Sequence, residues 1–114
     1  MTPATGPITK RTLSPARRRL VELMQEVNFG RIEGLYVRDG EPVLERTPNV
    51  LRDIVFGKVN APNPARGKDD FALKEQLVEL FDLFDREQSV TVESLVIQNG
   101  LPVRMTVANE HRVT

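Results

Sequence analysis

The run "DREQSVTVESLV", from Asp85 to Val96, carries the loudest hint of chemistry in this chain of 114 residues. A calcium loop wants oxygen ligands at positions 1, 3, 5 and 12 and a glycine at position 6. Counted from Asp85, the first three are supplied by Asp85, Glu87 and Ser89. Position 6 is Val90, a β-branched residue that resists φ > 0, and position 12 is Val96, which has no oxygen to offer. The failures fall on the turn and on the strongest ligand. The expectation is therefore a helix running into a strand, with Asp82 and Asp85 exposed on the last helical turns and no metal bound.

The other chemistry-bearing residues are few. Glu33 and Glu93 occupy matched places in two similar segments, and paired carboxylates can divide acid and base roles. The plainer expectation makes each an exposed strand residue paired across the strand with Arg46 or Thr106. His111, the single histidine, has no serine or cysteine nucleophile near it. No glycine-rich phosphate loop occurs. Cysteine is absent, which excludes a thiolate nucleophile, a disulfide framework and a cysteine zinc cage. No catalytic residue, metal or cofactor is expected.

A basic cluster stands apart. Lys10, Arg11, Arg17, Arg18 and Arg19 all precede the first acidic residue, Glu22. The three arginines fall in a first helical turn, where the macrodipole favours carboxylates. An anionic partner would relieve that arrangement, since phosphates suit both arginine and helix N-termini. Three readings stay open. The cluster contacts nucleic-acid phosphates, or docks on an acidic helix in this chain or a neighbouring subunit, or is a solvated arm. Residues 69–87 carry seven acidic and two basic side chains and would serve as that acidic surface. The 16 basic and 16 acidic residues balance, so no global field steers the chain to nucleic acid or membrane.

The elements that must position these residues follow from periodicity. Residues 1–13 read as a flexible arm. Ser14 and Pro15 read as the N-cap and first position of a helix. Leu20, Leu23, Met24 and Val27 then form one apolar face, with Glu22, Gln25 and Glu26 on the other side. Gly30 suits a left-handed position after the helix end. Asp39-Gly40 predicts a two-residue hairpin turn between strands near 31–38 and 41–46. A further strand is expected over 51–59, and 60–68 reads as loop. A second helix is expected from Asp69 or Asp70, with Leu73, Leu77, Leu80, Phe81 and Phe84 as its stripe. A second hairpin then turns at Asn99-Gly100, and residues 109–114 form a polar tail.

The two halves resemble each other. "LVELMQEVNFGRIEGLYVRDGEPV" begins at Leu20 and "LVELFDLFDREQSVTVESLVIQNGLPV" at Leu77. Aligned on the shared Leu-Val-Glu-Leu and on the final Gly-x-Pro-Val, they predict an internal repeat with three extra residues at the second helix–strand joint. In each hairpin the proline (Pro42, Pro102) falls on a pair that is not hydrogen-bonded, so its nitrogen faces outward and the return strand should be an edge. The predicted fold is one α+β domain over residues 14–108, with two helix–β-hairpin repeats on an antiparallel sheet. Repeat one spans 14–46, a linker with the further strand 47–68, and repeat two 69–108. The expected core is Leu20, Leu23, Met24, Val27, Leu35, Leu77, Leu80, Phe81, Phe84 and Leu95.

"NFGRIEGLYVRDGEPV", "FALKEQLVELF" and "NGLPVRMTV" resemble a set of short bacterial proteins. That set shares an N-F-G-R-I-E…V-x-D-G-x-P-V segment, a proline-rich loop, an F-x-L-K-x-Q helix and a G-L-P-x-R-M strand. The resemblance spans residues 20–107. It implies a bacterial source, and it carries over no activity and no site residues.

The opening residues have no apolar core of the signal-peptide kind, and no apolar run approaches the ~20 residues of a membrane helix. A cytoplasmic protein is expected. The functional expectation is a non-catalytic interaction module that binds another protein, with a homodimer within that reading. The alternative is a nucleic-acid-binding accessory protein using the basic arm and first helical turn. An enzyme would need a deep pocket lined by carboxylates such as Glu33 and Glu93.

Overall fold

The computed structural model describes residues 12–45, 48–57 and 74–108. Lys10, Arg11, Arg46, Asp69, Asp70, Leu73 and His111 lie outside the described residues, as do the 60–68 loop and the 109–114 tail. The chain runs α1 (Pro15–Val27), β1 (Gly30–Arg38), β2 (Glu41–Val43), β3 (Asn49–Arg52), α2 (Glu75–Glu87), β4 (Val90–Gln98) and β5 (Leu101–Ala108). The strands form one antiparallel sheet in the order β2-β1-β4-β5, with β3 also paired to β1. Both helices pack on this sheet and close a single apolar core. The predicted α+β architecture of two helix–hairpin units is the observed one.

The repeat is more regular than the sequence alignment implied. Pro15–Val27 and Glu75–Glu87, the caps Asn28 and Gln88, the strands Gly30–Arg38 and Val90–Gln98, and the turns at Asp39 and Asn99 all stand 60 residues apart. No residues are inserted at the second helix–strand joint. The shared Leu-Val-Glu-Leu was a false anchor, because it matches Leu20 to Leu77 and so shifts the helices by three residues. In space, "LVELM" at 20–24 corresponds to "LFDLF" at 80–84. Leu20, Val21 and Met24 are buried in one copy and Leu80, Phe81 and Phe84 in the other. Burial periodicity therefore aligns the copies where identity misled.

The two copies are related by a pseudo-twofold axis through the β1–β4 ladder. Ile32 pairs with Leu95 and Leu35 with Val92, and the offset of 60 exchanges these two pairs. All four side chains are buried. Between them, Glu33-Gly34 and Glu93-Ser94 break the in–out alternation in both strands, which restores the inward face on either side of the axis. Gly34 accommodates this with φ +73.

Helix α1 starts as expected. The Ser14 hydroxyl accepts from the Arg17 amide at 3.2 Å, and Pro15 holds the first helical position. The helix ends differently. The left-handed residue is Asn28 (φ 62), whose amide donates to the Met24 carbonyl, and Gly30 is already the first residue of β1. Gly30 is required by close approach: a Cβ there would run into the Leu51 carbonyl oxygen and lie 2.9 Å from Arg52 Cα and Val27 Cγ1. Helix α2 begins at Glu75 behind an extended Lys74, not at Asp69 or Asp70. Its 13 residues equal those of α1, the length that the shared core can cover.

Both turns close as type I′ hairpins. Asp39, Gly40, Asn99 and Gly100 all have φ > 0, and Arg38 pairs with Glu41 as Gln98 pairs with Leu101. The prolines fall opposite Val37 and Ile97, as the register requires. The return strands differ. β5 runs unbroken from Leu101 to Ala108, whereas repeat one's strand leaves the ladder after Val43 and rejoins it at Asn49. Val107 pairs with Val92, but Ile32, the counterpart of Val92, pairs with Val50 rather than with position 47. Repeat one thus carries three extra residues here, in its return strand. Leu44 turns in to pack on the core, and Pro48 is buried. The strand expected at 51–59 is therefore the four-residue β3, the second half of a broken return strand.

The core holds nine of the ten expected residues, and Leu23 only leans on it. Leu13, assigned by sequence to the arm, is buried, so it belongs to the folded part. Gln25 was expected on the solvated side and is buried instead, on the same face as Val21. Phe81 and Phe84 meet edge to face, with ring centroids 5.8 Å apart.

Two glycine substitutions separate crowding from backbone strain. Gly34→Ala meets open space and carries only the left-handed penalty of about 1 kcal/mol. Gly30→Ala must also displace β3 and should cost about 3 kcal/mol. Urea unfolding of both variants checks the order, and equal losses would show that β3 does not press on Gly30.

Candidate functional site

The three described arginines of the cluster, Arg17, Arg18 and Arg19, do not form one surface. Consecutive helical residues diverge by about 100° around the axis, so neighbours in sequence fan apart. Arg19 lies along the outside of α1, with Nη1 3.8 Å from a Glu26 oxygen. Arg18 reaches back to the Leu13 carbonyl at 3.4 Å. Arg17 turns inward, with only 13% of its side chain exposed.

Arg17 joins three elements. Its Nη2 and Nε donate to the Gly40 carbonyl at 2.8 and 3.2 Å. Nη2 also donates to an Asp85 carboxylate oxygen at 2.5 Å, and Glu41 lies 3.6 Å from Nε. The guanidinium stands 5.2 Å from the Phe81 ring centroid. Ser14 donates to the Glu41 carboxylate beside it. The N-terminus of α1, the first hairpin turn and the C-terminal end of α2 are thus stitched by one side chain. For Arg17 alone, this is a contact with the acidic helix, within the chain itself. Asp85, an acid at the unfavourable end of α2, has a cation as its partner.

Glu33 and Glu93 both lie beside the pseudo-twofold axis, Glu33 opposite Ser94. Glu33 pairs with Arg31 on its own strand at 2.9 Å; Arg46, its expected partner, lies outside the described residues. Its cross-strand neighbours are Asn49 and Ser94, and Thr106 lies opposite Ser94 rather than Glu93. The break in alternation beside the axis shifts these partners by one. The Asp85–Val96 stretch is helix to Glu87 and strand from Val90. Among the described residues no group of three or more His, Asp or Glu side chains could hold a metal ion. No described helix is long and apolar enough to cross a membrane.

The surface feature that the sequence reading missed follows β3. Leu51, Ile54, Val55 and Phe56 are all exposed, and Phe56 is 92% accessible. The Asp53 amide donates to the Phe29 carbonyl at 2.7 Å, which pins the strip beside Phe29, itself 40% exposed. The signal was present in "LRDIVFGKV": three consecutive apolar residues with no alternation, a pattern a half-buried strand does not produce.

A second feature is a groove of about 480 Å³ between α2 and β5, floored by Leu80, Leu95 and Pro102 and edged by Leu83, Val103 and Met105. Glu79, Asp82, Arg86 and Arg104 line its rim. Strand β5 has β4 on one side and no described strand on the other.

No family model, curated protein or solved structure matches this chain.

Arg17→Ala should lower unfolding free energy by about 2 kcal/mol, because a nearly buried charge-assisted contact to the Gly40 carbonyl is lost. Arg19→Ala should cost under about 0.5 kcal/mol. The Arg17–Asp85 coupling in a double-mutant cycle should not exceed about 1 kcal/mol, since Asp85 is largely exposed. Denaturant titration of the four variants measures all three quantities, and an Arg17→Ala variant as stable as wild type would contradict the stitch.

Proposed function

We propose that this protein is a non-catalytic interaction module that binds another protein chain through the apolar strip at Leu51–Phe56. The observation that carries this reading is the exposure of Phe56 at the end of an exposed apolar run. Burying one such side chain is worth about 1.5–3 kcal/mol. Monomeric proteins seldom leave contiguous apolar groups in water, and exposed patches of this kind mark contact sites. Phenylalanine and its neighbours supply the aromatic anchor typical of the centre of an interface.

The absence of catalysis is part of the same proposal. Glu33 is engaged by Arg31, and Glu93 is exposed on the sheet beside Gly34. The groove at α2 and β5 has acids only at its rim, mixed with Arg86 and Arg104. The alternative of phosphate contact through Lys10, Arg11, Arg17, Arg18 and Arg19 has less support, because Arg17 is committed to Gly40 and Asp85. Arg18 and Arg19 point to different sides of the helix.

A photo-crosslinking amino acid placed at position 56 should capture protein in the native cell in much higher yield than one at Glu93 on the exposed sheet face. Capture that survives nuclease treatment separates protein from nucleic acid. Equal yields at the two positions, or capture abolished by nuclease, would overturn the reading.

A further inference from the structure

The apolar strip continues a strand that has one open side. β3 pairs with β1 through Gly30↔Arg52, Arg31↔Leu51, Ile32↔Val50 and Glu33↔Asn49. The Asp53 amide donates to the Phe29 carbonyl in the same register, so the residues of β3 that bond to β1 are Asn49 and Leu51. The N–H and C=O groups of Val50 and Arg52 therefore point away from β1. No described strand lies on that side. We infer that the partner at the strip is an extended segment of another protein, which adds to the outer edge of β3 as a further strand. This rests on the reading of the strip as a protein contact and adds the form its partner takes.

Elsewhere on the sheet edges, proline removes donors. Pro42 turns a nitrogen without N–H outward on β2, and Pro102 does so at the turn end of β5. Asn49–Arg52 holds no proline, and both of its outward positions keep their donors. All four residues of β3 are exposed, so the strand buries no side chain in the core and is held by its ladder to β1. Val50 and Leu51 point to opposite faces of the sheet and are both exposed. A strand laid along this edge gains the backbone groups of Val50 and Arg52 and covers an apolar side chain on each face. Ile54, Val55 and Phe56 carry the same line past the last ladder pair. β5 is also open beyond Pro102, but among the described residues no exposed apolar run continues from it.

A second copy of β3 does not fit this edge. In an antiparallel pair about a dyad at Leu51, β3 of the copy ends with its Asn49 opposite Asp53, short of Phe56. Its Pro48, next in line opposite Ile54, has no N–H to give. Moving the dyad to Arg52 sets two arginines opposite each other, and like charges so placed destabilise a ladder. The occupant is a longer apolar segment than this chain's own β3.

A photo-crosslinking amino acid at position 56 supplies the segment for the test. The crosslinked peptide is sequenced, synthesised and titrated against the full chain. With the peptide bound, the Val50 and Arg52 amides should exchange with solvent at least roughly tenfold more slowly, and the Leu51 amide, already bonded to β1, should change less. Val50→Pro removes one outward donor and leaves the strip intact. It should weaken the peptide roughly tenfold, with thermal unfolding unchanged, because Pro42 and Pro102 already occupy such positions in this sheet. Arg52→Pro is a second edge variant, and Val50→Ile, which keeps the N–H, should bind as wild type does. A peptide that slows neither amide, or that binds both proline variants as tightly as wild type, overturns strand addition and leaves the strip as a contact. A crosslinked peptide that comes from this chain overturns the choice of partner. No capture at position 56 overturns both the inference and the reading on which it rests.

Discussion

Each hairpin turn is tied to the helix end of the other repeat. The Gly40 amide donates to the Gln88 carbonyl at 2.7 Å, and the Gly100 amide donates to the Asn28 carbonyl at 2.9 Å. These bonds are exchanged by the offset of 60, so they form one interaction made twice about the pseudo-twofold axis. Much of the backbone follows from it. The carbonyl at a helix end faces the opposite turn because Asn28 and Gln88 both turn the chain with positive φ and ψ near −55. Each cap closes a γ-turn, with the Phe29 and Ser89 amides donating to the Val27 and Glu87 carbonyls at 2.7 Å, and the Gln88 side chain bonds back to the Asp85 carbonyl at 2.6 Å. The turn amide reaches the cap because Asp39-Gly40 and Asn99-Gly100 close two-residue hairpins. Neither repeat satisfies these groups alone, and both glycines are buried, so leaving the bonds unmade would cost about 1–3 kcal/mol per group.

Where the copies depart from one another, the departures concern charge and apolar exposure rather than topology. Arg17 occupies the place of Leu77, and Asp85 the place of Gln25. One pair therefore makes a salt bridge across the helices while the other places a leucine and a glutamine at the equivalent positions. The Gln25 oxygen is buried without a hydrogen-bond partner in the structure. The same inequality appears in the return strands. Repeat one carries three more residues in its return strand and then exposes Ile54, Val55 and Phe56, whereas β5 of repeat two runs unbroken.

The elements that periodicity and turn chemistry determine locally were legible. The Ser14 cap, the two type I′ turns, the proline positions and most of the core follow from spacing alone. The places that misled are those where tertiary contact decides. Gly30 reads as a helix stop by its type, yet it is required by a carbonyl from β3, a neighbour 21 residues along the chain. The matching Leu-Val-Glu-Leu strings are identical in letters but not in burial, since Arg17 rather than a leucine opens the first helix's inner face. The arginines looked like a patch because adjacency in sequence was read as adjacency in space. The strip was overlooked because an apolar run beside two predicted strands was taken for a third.

The most direct measurement is amide hydrogen exchange, residue by residue, on the full chain. If the two repeats are held by their reciprocal turn-to-cap bonds, the Gly40 and Gly100 amides exchange as slowly as those of the β1–β4 ladder, all through global unfolding. Turn amides ordinarily exchange quickly, so the expectation is specific to this arrangement. Rapid exchange at Gly40 and Gly100 while the β1–β4 amides remain protected would contradict the account, because the halves would then cohere without the interaction said to join them.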